Sequence, residues 1–454
     1  MRGRFEALLY GVASIGTSLT PSLAFTPISR RPTLTGAVHH RHGRAASIER
    51  DAMKLKMSDD EKEDNFIASL IRNVMQNNIG DASINMESVE TEDEKQQRLR
   101  VERLAQIEAG EVRRQSRVAE DKFGYLLLFA LQLLPLIGRD RVESIVYFFG
   151  VAVCTVYLGG RQEVIDRPER VSRDNALYAP VGASLAIGGL YLLLKMGIDI
   201  TSVYAIMVTV FGALAISDIG VPLLRNAFPG IDFAAAEVPV PTALAEKTGL
   251  DNPRLPLDGS VTLGLGVLCT LIYWAPAAME QKFLISNAIA WALGMVSLGA
   301  ISLGSFQTGA ILLAGLFCYD VFWVFGTDVM MTVATKVEAP VKFLYPAPLS
   351  DTPRAYPFSV LGLGDVVIPG LFLRLMYKVD EALQPKNLSY FNVATGAYAA
   401  GLLMCFAANE LFHNGQPALL YLDPSLVGGT LACASVNGQV NALWDFQEEE
   451  NETN

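Results

Sequence analysis

Between Phe123 and Val436 the apolar residues gather into blocks that approach ~20 residues, broken by short polar stretches, and this spacing constrains the fold more than any motif does. A helix needs about 20 residues to cross ~30 Å of hydrocarbon, whereas a soluble helix would alternate apolar and polar faces. Of the 454 residues, 51% are hydrophobic and only 18% are charged, too few charges to clothe such blocks in water. In lipid a backbone must satisfy its own hydrogen bonds, and the blocks are too long for barrel strands. The expected fold class is therefore an all-α polytopic membrane protein.

Candidate spans fall near 123–138, 142–160, 177–196, 201–223, 260–278, 283–303, 307–326, 358–377, 391–412 and 416–436. The first is short, contains Pro135, and suits an interfacial position. A Pro-rich connector after the fourth span divides the chain into an N-terminal half, 123–258, and a C-terminal half, 259–439, followed by an acidic tail, 440–454. Ahead of them, residues 51–122 are hydrophilic, with mixed charges at helical spacing and no broad apolar face, and are expected to be a solvated helix or disordered. Within this extension Phe66, Ile67, Leu70, Ile71 and Val74 do share one helical face. No internal repeat supports an inverted-repeat transporter.

Several chemistries are excluded early. The five cysteines, Cys154, Cys269, Cys318, Cys405 and Cys433, all lie in apolar blocks without a CxxC pairing, so neither a disulfide scaffold nor a zinc site is expected. Three of the four histidines, His39, His40 and His42, sit in a basic N-terminal segment; His413 stands alone, with no HExxH. No metal ion and no cofactor are expected. The net charge of −11 argues against a nucleic-acid partner.

Two apolar runs carry an acid in their middle: Asp320 in "LFCYDVFWVFG" and Asp365 in "FSVLGLGDVVIPGLFLRLMY". A charge at the bilayer centre costs at least ~2.5 kcal/mol, so such residues are paired, hydrated or functional. The stretch between the runs is polar and proline-rich and reads as an exposed loop, which makes the two helices consecutive, antiparallel and adjacent. Two facing carboxylates form the constellation of an aspartic protease: one takes a proton from water attacking a peptide carbonyl, and the other, protonated, polarises that carbonyl. Such a pair shares one proton and titrates as a unit. Gly362 and Gly364 remove side chains beside the second acid, where the helix is expected to unwind and admit an extended backbone. Pro417 opens the last block and frees backbone groups there. The same two acids would also serve a proton-coupled transporter, and a membrane-helix binder that does not cut is the third alternative.

In order and spacing, Tyr319-Asp320 in "GLFCYDVFWVFGTDVM", Gly362-Leu363-Gly364-Asp365 in "GLGD" and Pro417-Ala418-Leu419 in "QPALLYL" resemble the signature of signal peptide peptidases, the intramembrane aspartic proteases related to presenilin. Flanking stretches "EAPVKFLYP" and "VIPGLFLRL" extend the likeness, which reaches back to about residue 167. The resemblance implies a bundle of about nine transmembrane helices with Asp320 and Asp365 as the catalytic pair. Tyr319, Gly362, Leu363, Gly364, Pro417, Ala418 and Leu419 would support the site and the substrate. The implied substrates are type II-oriented transmembrane segments such as remnant signal peptides; the lipid bilayer is the other partner, and self-association is left open. With the family's topology, the Arg and Lys residues gather in cytosolic loops, Arg161, Arg167, Arg170 and Arg173 among them, in line with the positive-inside rule. The chain departs from the family's pattern at Asp423, where an apolar residue is usual. It is expected to face the water-filled loop side, because an additional buried charge is costly; the alternative is that it lies near enough to raise the proton affinity of the pair. Asp218 and Glu410, near span ends, are expected to snorkel.

Residues 1–24 read as a signal peptide or signal anchor, and 25–50, rich in Arg, Ser and Thr without an acid, as a transit-like segment. Together they resemble the bipartite presequences of algae with secondary plastids; a plain secretory signal with a basic tail is the alternative. The expected residence is the endoplasmic reticulum or another endomembrane, with a secondary-plastid membrane as the alternative.

Overall fold

A computed structural model describes residues 109–138, 140–163, 168–197, 201–231, 236–239, 254–276, 279–337, 339–347, 356–412 and 415–448, together with Phe233. The expectations for 1–50, for the helical face at 66–74, for most of the connector, for His413 and for the end of the tail lie outside them.

Among the described residues, a helical stretch at 109–120 is followed by twelve helices in chain order: α1 (Lys122–Leu133), α2 (Arg141–Gly160), α3 (Arg173–Lys195), α4 (Thr201–Ala227), α5 (Leu257–Trp274), α6 (Met279–Ala300), α7 (Phe306–Phe325), α8 (Val329–Lys336), α9 (Gly364–Leu383), α10 (Tyr390–Phe412), α11 (Leu419–Asn437) and α12 (Val440–Trp444). Eight of these, α2 to α7 with α10 and α11, are long and apolar enough to cross a membrane. The starts are set locally. Ser172 and Ser305 accept the amides of Asn175 and Thr308 at 3.1 Å, capping α3 and α7. Gly438, at φ +68°, ends α11 in the left-handed conformation that glycine adopts without a Cβ penalty.

Of the ten candidate spans, the first is as short as its sequence suggests, and the eighth is corrected. The segment at 123–138 is a twelve-residue helix closed by a 3₁₀ turn through Pro135, too short to cross. It lies antiparallel along α2, so close that a Cβ at Gly150 would stand 2.6 Å from Leu131 and one at Gly124 2.9 Å from Leu158. The span at 358–377 begins instead as a strand, and its helix, α9, is shifted to Gly364–Leu383. Asp365, Arg374, Lys378, Asp380 and Glu381 make α9 the most charged of the long helices, yet its middle is buried among its neighbours. The Arg374 guanidinium donates to the carbonyls of Gly159 (3.3 Å) and Gln162 (2.8 Å), and so satisfies the open C-terminal end of α2.

The segment between the two acid-bearing runs is also not simply an exposed loop. Four short strands, β1 (Glu169–Arg170), β2 (Glu237–Pro239), β3 (Arg254–Pro256) and β4 (Ile301–Ser302), pair as β1 with β4 and β2 with β3, whereas β5 (Lys342–Pro346) and β6 (Phe358–Gly362) pair antiparallel, Leu344 opposite Val360, with all five residues of β5 buried. The Asn287 side chain on α6 acts as a third strand: it donates to the Leu344 carbonyl and accepts the Leu344 amide, both at 2.8 Å. It also donates to the Tyr147 hydroxyl at 2.7 Å. These bonds satisfy the Leu344 amide and carbonyl, which face away from β6, inside the bundle. The main core forms where α2, α7, α9, α10 and α11 meet, around Tyr147, Phe306, Phe343, Phe372, Tyr390 and Tyr398.

Candidate functional site

Three sequence-distant segments end at one level of the bundle. The last turns of α7 carry Asp320, the first turn of α9 carries Asp365, and α11 begins at Leu419. The Leu419 amide, one of the first N–H groups of α11 and so without a helical acceptor, donates to Asp320 Oδ2 at 3.0 Å. That bond joins residues 99 apart. Asp320 is only 5% exposed. Asp365 is half-buried, lies within electrostatic reach of Asp320, and sits in the first turn of a helix whose positive end favours negative charge.

The other sequence-predicted residues fall around this pair. The Tyr319 phenol feels both carboxylates, and its ring lies 6.5 Å from that of Trp323. Gly362 closes β6; a Cβ there would stand 3.2 Å from Asp365 Oδ2, so the glycine keeps the space that this carboxyl occupies. Leu363 joins strand to helix: its amide donates to the Val341 carbonyl at 3.1 Å and its side chain packs on the core. Gly364 is exposed, with no atom nearer than 4.0 Å to where its Cβ would be. Neither glycine has a positive φ, so the expected unwinding is realised as a strand-to-helix junction rather than as a break within a helix. Pro417, Ala418 and Leu419 are buried and lead into α11.

Two features escaped the sequence. The Tyr398 hydroxyl on α10 donates to the backbone carbonyl of Asp365 at 3.3 Å. Tyr398, Leu402 and Cys405 share a buried face of α10 at helical spacing, which was the available signal. The second is a correction. Asp423 does not face a water-filled side: it is 4% exposed, and both of its carboxyl oxygens lack a hydrogen-bond partner.

The Leu344–Val360 pairing gives the hairpin one more property. Because the polar backbone groups of Leu344 point to Asn287, those of Val360 opposite must point away from β5, as do those of Gly362 two residues on. The outer edge of β6 therefore presents free N–H and C=O groups leading up to Asp365. Two acids with an open strand edge beside them can hold an extended peptide and hydrolyse it.

Comparison with known proteins agrees with this class. Residues 163–450 match the family described as Signal peptide peptidase. The chain is 33% identical over 332 residues to the Homo sapiens protein named Signal peptide peptidase, covering 72% of this chain and 83% of that one. It is 37% identical over 184 residues to Intramembrane protease 2 of Caenorhabditis elegans (37% of this chain, 39% of that one). To Signal peptide peptidase-like 2B of Homo sapiens it is 32% identical over 211 residues (42% and 35%). The chain belongs to the signal peptide peptidase family of multi-pass intramembrane aspartic proteases, whose substrates are peptides.

Proposed function

We propose that Asp320 and Asp365 are the catalytic pair, and that the protease cleaves type II-oriented transmembrane segments, remnant signal peptides among them, in the endoplasmic reticulum or another endomembrane. The observation that carries the site assignment is the convergence of three distant segments, Asp320 bonded to the Leu419 amide and Asp365 within reach. Family membership and the relatives' names support the substrate class.

In the proposed reaction one carboxylate removes a proton from water, whose oxygen attacks the scissile carbonyl while the other, protonated acid hydrogen-bonds to that carbonyl oxygen. The tetrahedral intermediate then expels the amine as it gains a proton, leaving a carboxylic acid and an amine. The Leu419 amide orients Asp320, and the helix end of α11 adds a positive dipole. The substrate segment, unwound from its helix, pairs with the outer edge of β6 at Val360 and Gly362, which replaces the backbone bonds it lost.

The test is to incubate the purified full chain in bilayers with a labelled helical signal-peptide-like substrate and read the products by mass spectrometry. Replacing either acid, Asp320→Ala or Asp365→Ala, is expected to lower turnover by about 10⁴-fold or more, with insertion and accumulation retained, and the double variant is no worse than either single. Substantial activity in one single variant would overturn the pair. Binding without products by the unaltered chain would favour the alternative of a helix binder.

A further inference from the structure

Asp423 is the one acid at this site that the mechanism above does not use. Its 4% exposure and its two unpartnered carboxyl oxygens make it an exception among buried polar groups, nearly all of which are hydrogen-bonded. The charges of Asp320 and Asp365 both reach it, so it belongs to the same site.

Among the described residues no neighbouring side chain donates to it. The titratable groups of the described residues around the site are Tyr319 and Asp320 on α7, Asp365 on α9, Tyr398 and Cys405 on α10, and Tyr421 on its own helix, with no cation among them. The Tyr398 hydroxyl is committed to the Asp365 carbonyl. Tyr421 donates to Gln416 at 3.0 Å, and Ser425 to the Tyr421 carbonyl at 2.7 Å. Pro424, next in the chain, has no N–H to reach back to the Leu420 carbonyl, which leaves a second acceptor one turn away. None of the hydroxyls or thiols of the described residues bonds to Asp423, so its donor has to come from outside the chain.

Resting on the reading of Asp320 and Asp365 as the protease pair, we propose that Asp423 is a specificity-determining residue: its carboxyl accepts a hydrogen bond from a hydroxyl, amide or ammonium side chain that the substrate carries close to the scissile bond. A backbone N–H would not serve the same purpose, because every peptide has one and the β6 edge takes those of an extended substrate. A site that buries a polar group discriminates strongly against an analogue lacking its partner, since that group is then left unpaired. An ordered water is the other source of a donor; it would satisfy Asp423 with any substrate and give no preference.

The experiment uses the purified full chain in bilayers and pairs of helical peptides identical except for Ser or Ala at one position, that position being stepped across the cleavage region. The readout is the ratio of kcat/KM for Ser over Ala, measured for the unaltered chain, Asp423→Asn and Asp423→Val. The expected result is a ratio of about 10 or more at one position for the unaltered chain, collapsing towards one in Asp423→Val. Asp423→Asn keeps an acceptor oxygen at the same place and retains part of the preference. The proposal is overturned by a ratio near one at every position, as a bound water predicts, or by a preference that survives in Asp423→Val. Loss of turnover on both peptides in both variants also overturns it and moves Asp423 into proton transfer. Cleavage that persists in Asp320→Ala overturns instead the reading of the pair, and is distinguished by being independent of the peptide used.

Discussion

At the level of single residues, the glycines flanking Leu363 have separable tasks. A methyl at Gly362 would press on Asp365 Oδ2 from 3.2 Å, whereas one at Gly364 would project into open space where the proposed substrate runs. Gly362→Ala is therefore expected to lower kcat by about 10–100-fold by displacing the acid, and Gly364→Ala to act mainly by raising KM; steady-state kinetics on one peptide separate them. Equal effects on both constants in both variants would remove this division of labour. The proposed pair would set the pH dependence. One carboxylate has to be ionised and the other neutral, so kcat/KM should fall on both sides of an optimum, and a profile with a single limb would exclude a shared proton. The two acids and their motifs were legible in the sequence because each stands out against an apolar background. Asp423 stood out as clearly, but its surroundings did not: from one chain, the cost of a buried charge argued for solvent, and only the packing of α7, α9, α10 and α11 shows the acid enclosed.

At the level of elements, the hairpin between the acids is what the sequence concealed. Five residues, "KFLYP", are too few for a period-two pattern, and the surrounding prolines gave the stretch the look of a loop. The strand is specified from elsewhere, by the Asn287 side chain on α6. The helices were readable because a long apolar block is a strong signal; α9 was misplaced by several residues because its charges, Arg374 above all, are satisfied by another helix end. Asn287→Ala would leave the buried amide and carbonyl of Leu344 unpaired, at a cost of about 1–3 kcal/mol for each group. A lowered thermal midpoint is expected together with reduced turnover, since β5 holds β6 and β6 leads into Asp365. Stability without change in that variant would mean that β5 does not depend on Asn287. A related test concerns α10 and α11, which touch backbone to backbone: a Cβ at Gly401 would stand 2.9 Å from the Tyr421 carbonyl and 3.0 Å from the Leu422 Cα. Gly401→Val is expected to force α11 outward, destabilising by about 1–3 kcal/mol and weakening activity through the Leu419 contact.

At the scale of the whole molecule, residues 109–120, the described end of the hydrophilic extension, prove to be attached to the bundle. Residues 109–120, expected to be solvated, form a helix laid against the far end of the bundle from the acids. Its Arg117 donates to the Tyr377 hydroxyl at 2.8 Å, twelve residues along α9 from Asp365, or about 18 Å of helix. Arg114 reaches Asp218 on α4 with two N–H groups, at 3.0 and 2.7 Å, and the Asp218 carbonyl at 3.2 Å. Asp218 thus does not snorkel to water as expected; its charge is met by the extension, with side chains only 12% and 18% exposed for the arginine and the acid. Glu410, by contrast, forms an open surface pair with Arg141 at 2.8 Å, which by its exposure contributes little. No apolar periodicity marks residues 109–120 because polar bonds to the bundle hold them, and such pairs leave no pattern in one strand of sequence. Removing one partner of an enclosed pair is worse than removing both, because the survivor is left charged and desolvated. Arg114→Ala is therefore expected to destabilise by about 1.5–3 kcal/mol, and the double variant Arg114→Ala/Asp218→Ala to recover part of that loss. Thermal unfolding in bilayers or mild detergent measures the cycle. Strictly additive changes would show that residues 109–120 rest on the bundle without this bond.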